Sequence, residues 1–244
     1  VDISRYISGY KEQDIIIVAK ELGFPSYTYL APNARKSKLH KLLVSSFPKH
    51  DIRITSSTDD GVLNIVFVFS DKNSGDYYFF DSKQNEAQHL FSASAWLVPE
   101  LMAEMKPVTI NARDNTEIHG YLTLPKSANK NLPLIVYPHG GPHGVRDYWG
   151  YDWEVQLLAN SGYAVLQMNF RGSGGYGIGF ENIGHGKWGT LMQDDITDAT
   201  LAMIENGVAN KDKVCIYGAS YGAYAALMGT VREPNLYKCA IGSM

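Results

Sequence analysis

The chain has 244 residues, a formal net charge of −3 and 45% hydrophobic residues, enough for one or two domains with cores of their own. The near-neutral balance argues against nucleic acid as a main partner. No run of about 18 apolar residues is present to span a membrane, and no signal peptide is recognisable.

The chain opens at Val1 rather than Met, so further sequence is expected before it. A cytoplasmic location is expected, with the periplasm and secretion left open. The two cysteines, Cys215 and Cys239, sit in apolar strand-like runs and are expected to be buried reduced thiols rather than a disulfide or a metal site. No Cys/His cluster has zinc spacing, and no metal or cofactor is expected.

In chain order, the first hundred residues read as all-β. Asp14–Val18 is a β-branched run, Tyr27–Leu30 follows a Gly/Pro turn, and Lys38–Leu43 reads as a short strand. The series recurs roughly 50 residues later at Asn64–Val68, Tyr77–Phe80 and Glu86–Phe91. A repeat of this length holding several short strands marks a β-propeller blade. Two copies cannot bury their own faces, so residues 1–95 are expected to be the last blades of a larger propeller. Residues 96–106 read as a connector.

From Pro107 the pattern changes. Val108–Ala112 and Ile118–Leu124 are strands around the turn at Arg113–Thr116, and Pro133–Tyr137 is a short apolar strand that runs into the loop Pro138–Gly144. A helix over Trp153–Ser161, a strand over Tyr163–Phe170, a glycine-rich loop over Arg171–Gly179 and an amphipathic helix over Asp194–Asn206 follow. Strands alternating with helices predict a largely parallel α/β sheet over 107–244. Asp194, Asp195 and Asp198 are expected to be a solvated helix start, favoured by the positive end of the helix dipole, rather than a metal site. Tyr148, Trp149, Tyr151 and Trp153 either line a cleft or belong to the core.

The stretch with the most chemistry is Val214–Tyr224. A short apolar run ends at Gly218, a helix-like run starts near Tyr221, and Gly-x-Ser-x-Gly lies between, the pattern of a nucleophile elbow. Glycines on either side remove the Cβ atoms that would clash where the chain reverses. Ser220 is the candidate nucleophile, with the Tyr221 N–H facing a developing oxyanion. The loop His139-Gly140-Gly141-Pro142 supplies a second donor, for which Gly141 is the candidate; His139 is expected to brace the loop rather than act as base. A serine needs a general base, usually His oriented by Asp or Glu, and in α/β-hydrolases both follow the serine. Only Glu233 follows Ser220 here, and all seven histidines precede it. The reading is an α/β-hydrolase domain interrupted after the elbow.

Four motifs carry a resemblance: Arg113–Leu122, the His-Gly-Gly-Pro loop, Asn169–Gly177 and Gly218–Gly222. From Trp96 onward the chain resembles the prolyl oligopeptidase family of serine peptidases, in particular its acylaminoacyl-peptidase and bacterial dipeptidyl-peptidase branches. The resemblance implies a β-propeller before an α/β-hydrolase domain, a Ser220 nucleophile and an oxyanion hole from the Tyr221 and Gly141 amides. It also implies a substrate pocket that includes the Tyr221 ring and His139, with His139 where the prolyl-oligopeptidase and dipeptidyl-peptidase-IV branches place an oxyanion tyrosine, which favours the acylaminoacyl-peptidase branch. Structural roles are expected for Arg171 and Tyr176. The substrates implied are short peptides, since a propeller over the site excludes folded proteins. A homo-oligomer stays open, as do two other readings: a carboxylesterase with the same elbow, and a non-catalytic interaction protein.

Overall fold

β-Branched and aromatic residues build two antiparallel sheets in the first hundred residues. The structure is a computed structural model that describes residues 2–10 and 14–243. The first sheet joins β1 (Arg5–Ser8), β2 (Ile15–Lys20) and β3 (Ser26–Tyr29) in chain order. The second joins β4 (Asp51–Ser57), β5 (Leu63–Phe69), β6 (Asp76–Asp81) and β7 (Glu86–Ser92), also in chain order. Along β5, Asn64, Val66 and Val68 are buried while the residues between them are half-buried, the period of two that a strand imposes. Arg5 of β1 reaches both carboxylate oxygens of Asp51 in β4, at 2.9 and 3.1 Å, and so ties the two sheets together.

One expected strand is a helix. Residues Lys38–Leu43 lie inside α1 (Arg35–Ser46). The segment is rich in Arg, Lys and Leu, good helix formers, and Val44 is its one β-branched residue. Leu39 and Leu43, four residues apart, fall on one face and pack with Ile52, Val66, Val68 and Phe80 of the second sheet. The internal repeat therefore pairs β2 with β5 and β3 with β6, while its third member is a helix in one copy and the strand β7 in the other.

The expected connector gives way to structure before it ends. A single 3₁₀ turn covers Pro99–Leu101, and β8 (Glu104–Asn111) starts inside it. Pro107 lies within β8 and is tolerated because β8 is an edge strand. With β9 (Glu117–Leu124), β10 (Leu132–Val136), β11 (Ala164–Asn169), β12 (Ala209–Ala219) and β13 (Cys239–Ser243) it forms a sheet of order β13-β12-β10-β11-β9-β8. The strands β11, β10, β12 and β13 are mutually parallel, and β8 and β9 are antiparallel additions.

Both faces of this sheet are covered, which is why its central strands are continuous apolar runs rather than alternating ones. On one face, α4 (Leu191–Glu205) and α5 (Tyr221–Arg232) enclose Leu134, Val136, Leu166, Met168, Val214 and Ile216. On the other, α2 (Trp153–Asn160), with Trp149, covers Met105, Tyr121 and Val165. Helix α2 starts where the Asp152 carboxylate accepts from the Glu154 and Val155 amides, at 2.9 and 3.0 Å, a side-chain N-cap.

Two further expectations are corrected. Asp194, Asp195 and Asp198 are not a solvated helix start. Asp195 is fully buried and forms a fork-on-fork pair with Arg171, itself 2% exposed, which also bonds Asp114. Asp198 and Asp194 hold Arg113, and Asp194 also holds Arg232. The helical spacing of these acids is compatible with solvent, but arginines distant in sequence converge on them. Cys215 and Cys239 are likewise not free thiols; they form a disulfide, with Cα atoms 4.7 Å apart. They are register partners on the parallel pair β12–β13, a proximity that 24 residues of sequence separation conceal.

The N-terminal sheets are docked on the α/β sheet. Gln156 of α2 donates to the Asp71 carbonyl at 2.9 Å, and the Asp71 carboxylate accepts from the Met105 amide at 2.8 Å. The Tyr121 hydroxyl donates to the Gly23 carbonyl at 3.0 Å, and Arg146 donates to that of Glu21 at 2.6 Å. Among the described residues no helix is long and apolar enough to cross a membrane.

Candidate active site

Ser220 joins the end of β12 to the start of α5, with φ 54° and ψ −121°. The positive φ is a costly region for a residue with a Cβ and persists only where the surroundings force it. What forces it is close packing on both sides. A Cβ at Gly218 would lie 2.6 Å from the carbonyl carbon of Gly222, and a Cβ at Gly222 would lie 2.2 Å from the Pro138 carbonyl oxygen. The Ser220 amide donates to the Ser243 carbonyl of β13 at 3.0 Å, and its carbonyl accepts from Ala223 and Tyr224. The side chain is left exposed, and its hydroxyl makes no hydrogen bond among the described residues.

The strand beside the nucleophile strand is β10, paired in parallel through Leu134–Val214, Ile135–Cys215 and Val136–Ile216. The chain leaving β10 forms the loop Pro138–Gly144, which passes directly over the serine. A Cβ at Gly140 would sit 3.5 Å from the Ser220 Cβ and 3.9 Å from its Oγ. Gly141 has φ 115°, which glycine alone adopts readily. Neither the Gly141 nor the Tyr221 amide has a partner among the described residues. Tyr221 is the first residue of α5, where backbone N–H groups have no acceptor inside the helix.

His139 is buried, and both its ring nitrogens are occupied. One lies 2.7 Å from the Gly140 carbonyl and the other 2.8 Å from the Ser173 hydroxyl, while the ring stacks on Phe170. Burial pushes its pKa down to about 4, with the nearby Arg146 charge acting in the same direction. A neutral, doubly bonded imidazole holds the loop in place; neither nitrogen bonds Ser220.

The Tyr221 ring is 3% exposed. It packs between Phe170, Trp188 and Tyr224, with centroids at 5.4, 4.9 and 5.8 Å, and burial raises its hydroxyl pKa. Trp188, half exposed and packed on Tyr221, and Ser173, buried and bonded to His139, are residues that the sequence reading did not single out. Their only sequence signal is a place in or just after the glycine-rich loop. Tyr176 accepts from Arg146 and Asn169 at 2.8 and 2.7 Å, an internal role like that of Arg171. The four aromatics after the oxyanion loop split: Trp149 is core, Tyr151 is half-buried, and Tyr148 and Trp153 are 49% and 65% exposed. No group of three or more His, Cys, Asp or Glu side chains suited to a metal occurs among the described residues.

The sequence profile of the prolyl oligopeptidase family matches residues 149–244, the stretch from the aromatic cluster through the elbow. These residues belong to the prolyl oligopeptidase family. The chain is similar to dipeptidyl aminopeptidase BIII of Pseudoxanthomonas mexicana, with 39% identity over 78% of this chain and 29% of that protein. It is also similar to dipeptidyl peptidase family member 6 of Caenorhabditis elegans, with 31% identity over 82% of this chain and 30% of that protein. Among solved structures, Pyrococcus horikoshii acylaminoacyl peptidase superposes with a TM-score of 0.69 at 20% identity, over 93% of this chain and 35% of that one. The chain thus spans about three-tenths of the length of the curated relatives it matches. As in the propeller-plus-hydrolase folds of this family, two blade-like sheets precede the first half of an α/β-hydrolase sheet.

Proposed function

We propose that the whole protein is a serine peptidase that cleaves short peptides through an acyl-enzyme on Ser220. The observation that carries this reading is the exposed Ser220 hydroxyl on a strained strand-to-helix turn, overhung by the His139–Pro142 loop. Ser220 Oγ attacks the scissile carbonyl carbon, its proton passing to a general base as the C–O bond forms. The carbonyl oxygen gains negative charge and is met by the Tyr221 and Gly141 amides, two fixed donors that need no rearrangement. Collapse expels the amine, which takes the proton held by the base, and water deprotonated by that base then releases the acyl group, the proton returning to Ser220 Oγ. Tyr221, Trp188 and His139 border the pocket for the residue before the scissile bond. The base and the acid that orients it are assigned to the remainder of the whole protein, since His139 is neutral, buried and already bonded on both nitrogens.

The N-terminal blades support short peptides as the substrate class, because a propeller over the cleft restricts entry. The similarity to two dipeptidyl peptidases favours removal of dipeptides from a free N-terminus over release of a blocked residue. The test is mass spectrometry of the full-length protein after fluorophosphonate treatment, alongside turnover of dipeptidyl and acetyl-aminoacyl p-nitroanilides. Label on Ser220, and loss of label and turnover in Ser220→Ala with an unchanged melting curve, are expected. Label on another serine, or normal turnover by Ser220→Ala, overturns the assignment.

A further inference from the structure

The Cys215–Cys239 disulfide lies on the two strands that fix the nucleophile. Its cysteines form the first register pair of the β12–β13 ladder; the fifth is Ala219 with Ser243. One residue beyond, the Ser220 amide donates to the Ser243 carbonyl at 3.0 Å. The short ladder is therefore closed covalently at one end and by the nucleophile's own amide at the other. The covalent ring runs from Cys215 through the elbow and all of α5 to Cys239, a separation of 24 residues. Just past it, Gly242 of β13 packs on Ala223 of α5, where a Cβ on the glycine would stand 3.1 Å from that of the alanine. Ser220 keeps a positive φ only while these neighbours hold their places.

We infer that Cys215 and Cys239 are positioning residues for Ser220, and that acylation of Ser220 depends on the oxidation state of this pair. The inference rests on the reading of Ser220 as the nucleophile. Among the described residues, Cys215 is half-buried and Cys239 exposed. Thiolate attack opens the S–S bond, and the dithiol's second thiol completes the exchange. Two electrons and two protons pass to the protein, giving two thiols, and the dithiol closes its own disulfide. Reduction leaves β13 held by hydrogen bonds and its packing on α5, without the covalent tie, so that the Ser243 carbonyl fixes the serine amide less firmly. A disulfide in this position suits an oxidising compartment, where such bonds persist.

The test uses the full-length protein in three forms: as isolated, reduced with dithiothreitol, and reoxidised. Peptide mapping without reductant should join the Cys215 and Cys239 peptides; two free thiols in protein isolated under air overturn the inference. Fluorophosphonate labelling of Ser220 should slow at least about tenfold on reduction, the scale of a misplaced reacting atom, and recover on reoxidation. With a dipeptide p-nitroanilide the loss should fall on kcat, with KM little changed. Cys215→Ser/Cys239→Ser should label at the reduced rate and ignore dithiothreitol. Equal labelling in all three forms overturns the inference. Hydrogen exchange across residues 216–224 separates this idea from the peptidase reading. Faster exchange on reduction in a protein whose Ser220 never labels supports the clamp and removes the peptidase. Unchanged exchange removes the clamp.

Discussion

The carbonyl oxygen of Pro138 occupies the place where a side chain on Gly222 would begin: a Cβ there would be 2.2 Å away. The oxyanion loop and the nucleophile helix are thus in backbone contact, and neither has a flexible side chain to give way. Gly222→Ala should push the loop off the elbow. The expected cost is about 1–3 kcal/mol in stability, the range for overpacking, with fluorophosphonate labelling of Ser220 sharply slowed. Gly179→Ala, with nothing within 4 Å of the new carbon, should leave both unchanged. Equal labelling by the two variants would show that the loop is not braced against the helix.

Arg171 and Asp195 form a buried ion pair behind the glycine-rich loop, with Arg171 also bonded to the half-exposed Asp114. That contact holds the Asp114 carboxyl down at about 2. Arg171→Met strands the Asp195 charge inside the protein, and a loss of about 3–5 kcal/mol is expected from urea unfolding. Arg171→Met/Asp195→Asn removes the stranded charge while keeping an acceptor for the Arg171 backbone amide, and most of the loss should return. A double variant no more stable than the single one would show that the cost lies in packing rather than charge.

His139 gives a signed pH dependence. Its folded pKa of about 4 lies below the ordinary 6.5, so the unfolded chain binds the extra proton between those values. Stability from this group is complete above about pH 6.5 and is lost as pH falls through about 4, by up to about 3 kcal/mol. His40, also buried and lowered to about 4, acts in the same direction. Asp147, pushed up to about 7 by burial, acts in the opposite one. The difference between wild type and His139→Gln in urea midpoint, followed from pH 7 to 4, isolates His139. The variant should show the shallower decline, and parallel curves would show that the imidazole is charged in the fold.

Gln156 fastens the second N-terminal sheet to the α/β sheet. Its side chain accepts from the Ala103 amide at 2.8 Å and donates to the carbonyls of Asp71 and Ala103, both at 2.9 Å. Gln156→Leu leaves the buried Ala103 amide without an acceptor, at a cost of about 1–3 kcal/mol. Limited proteolysis should then cut sooner between residues 93 and 104 than in wild type. An unchanged cleavage rate would place the hold between the two units elsewhere, at the contacts of Tyr121 and Arg146 with the first sheet.

The sequence by itself determined the parts of the fold whose signals are local. Gly-x-Ser-x-Gly between an apolar run and a helix-like run located the elbow at Ser220, because only glycine fits beside so sharp a reversal. The strand-helix alternation after Pro107 determined a parallel sheet, and the β-branched runs at Ile15–Val18 and Ile65–Val68 determined antiparallel strands. The histidines, all before Ser220, already indicated that the base is not the usual downstream one within these residues. Tertiary structure alone decided the rest. Lys38–Leu43 became helix because Leu39 and Leu43 found one apolar face, on the second sheet, to cover. Asp195 of α4 is buried, and Asp194 and Asp198 partly so, because Arg113, Arg171 and Arg232 arrive from three separate segments to neutralise them. Cys215 meets Cys239 because parallel pairing sets them side by side across a helical crossover. These contacts join residues far apart along the chain, and no periodicity or motif within one segment records who the partner will be.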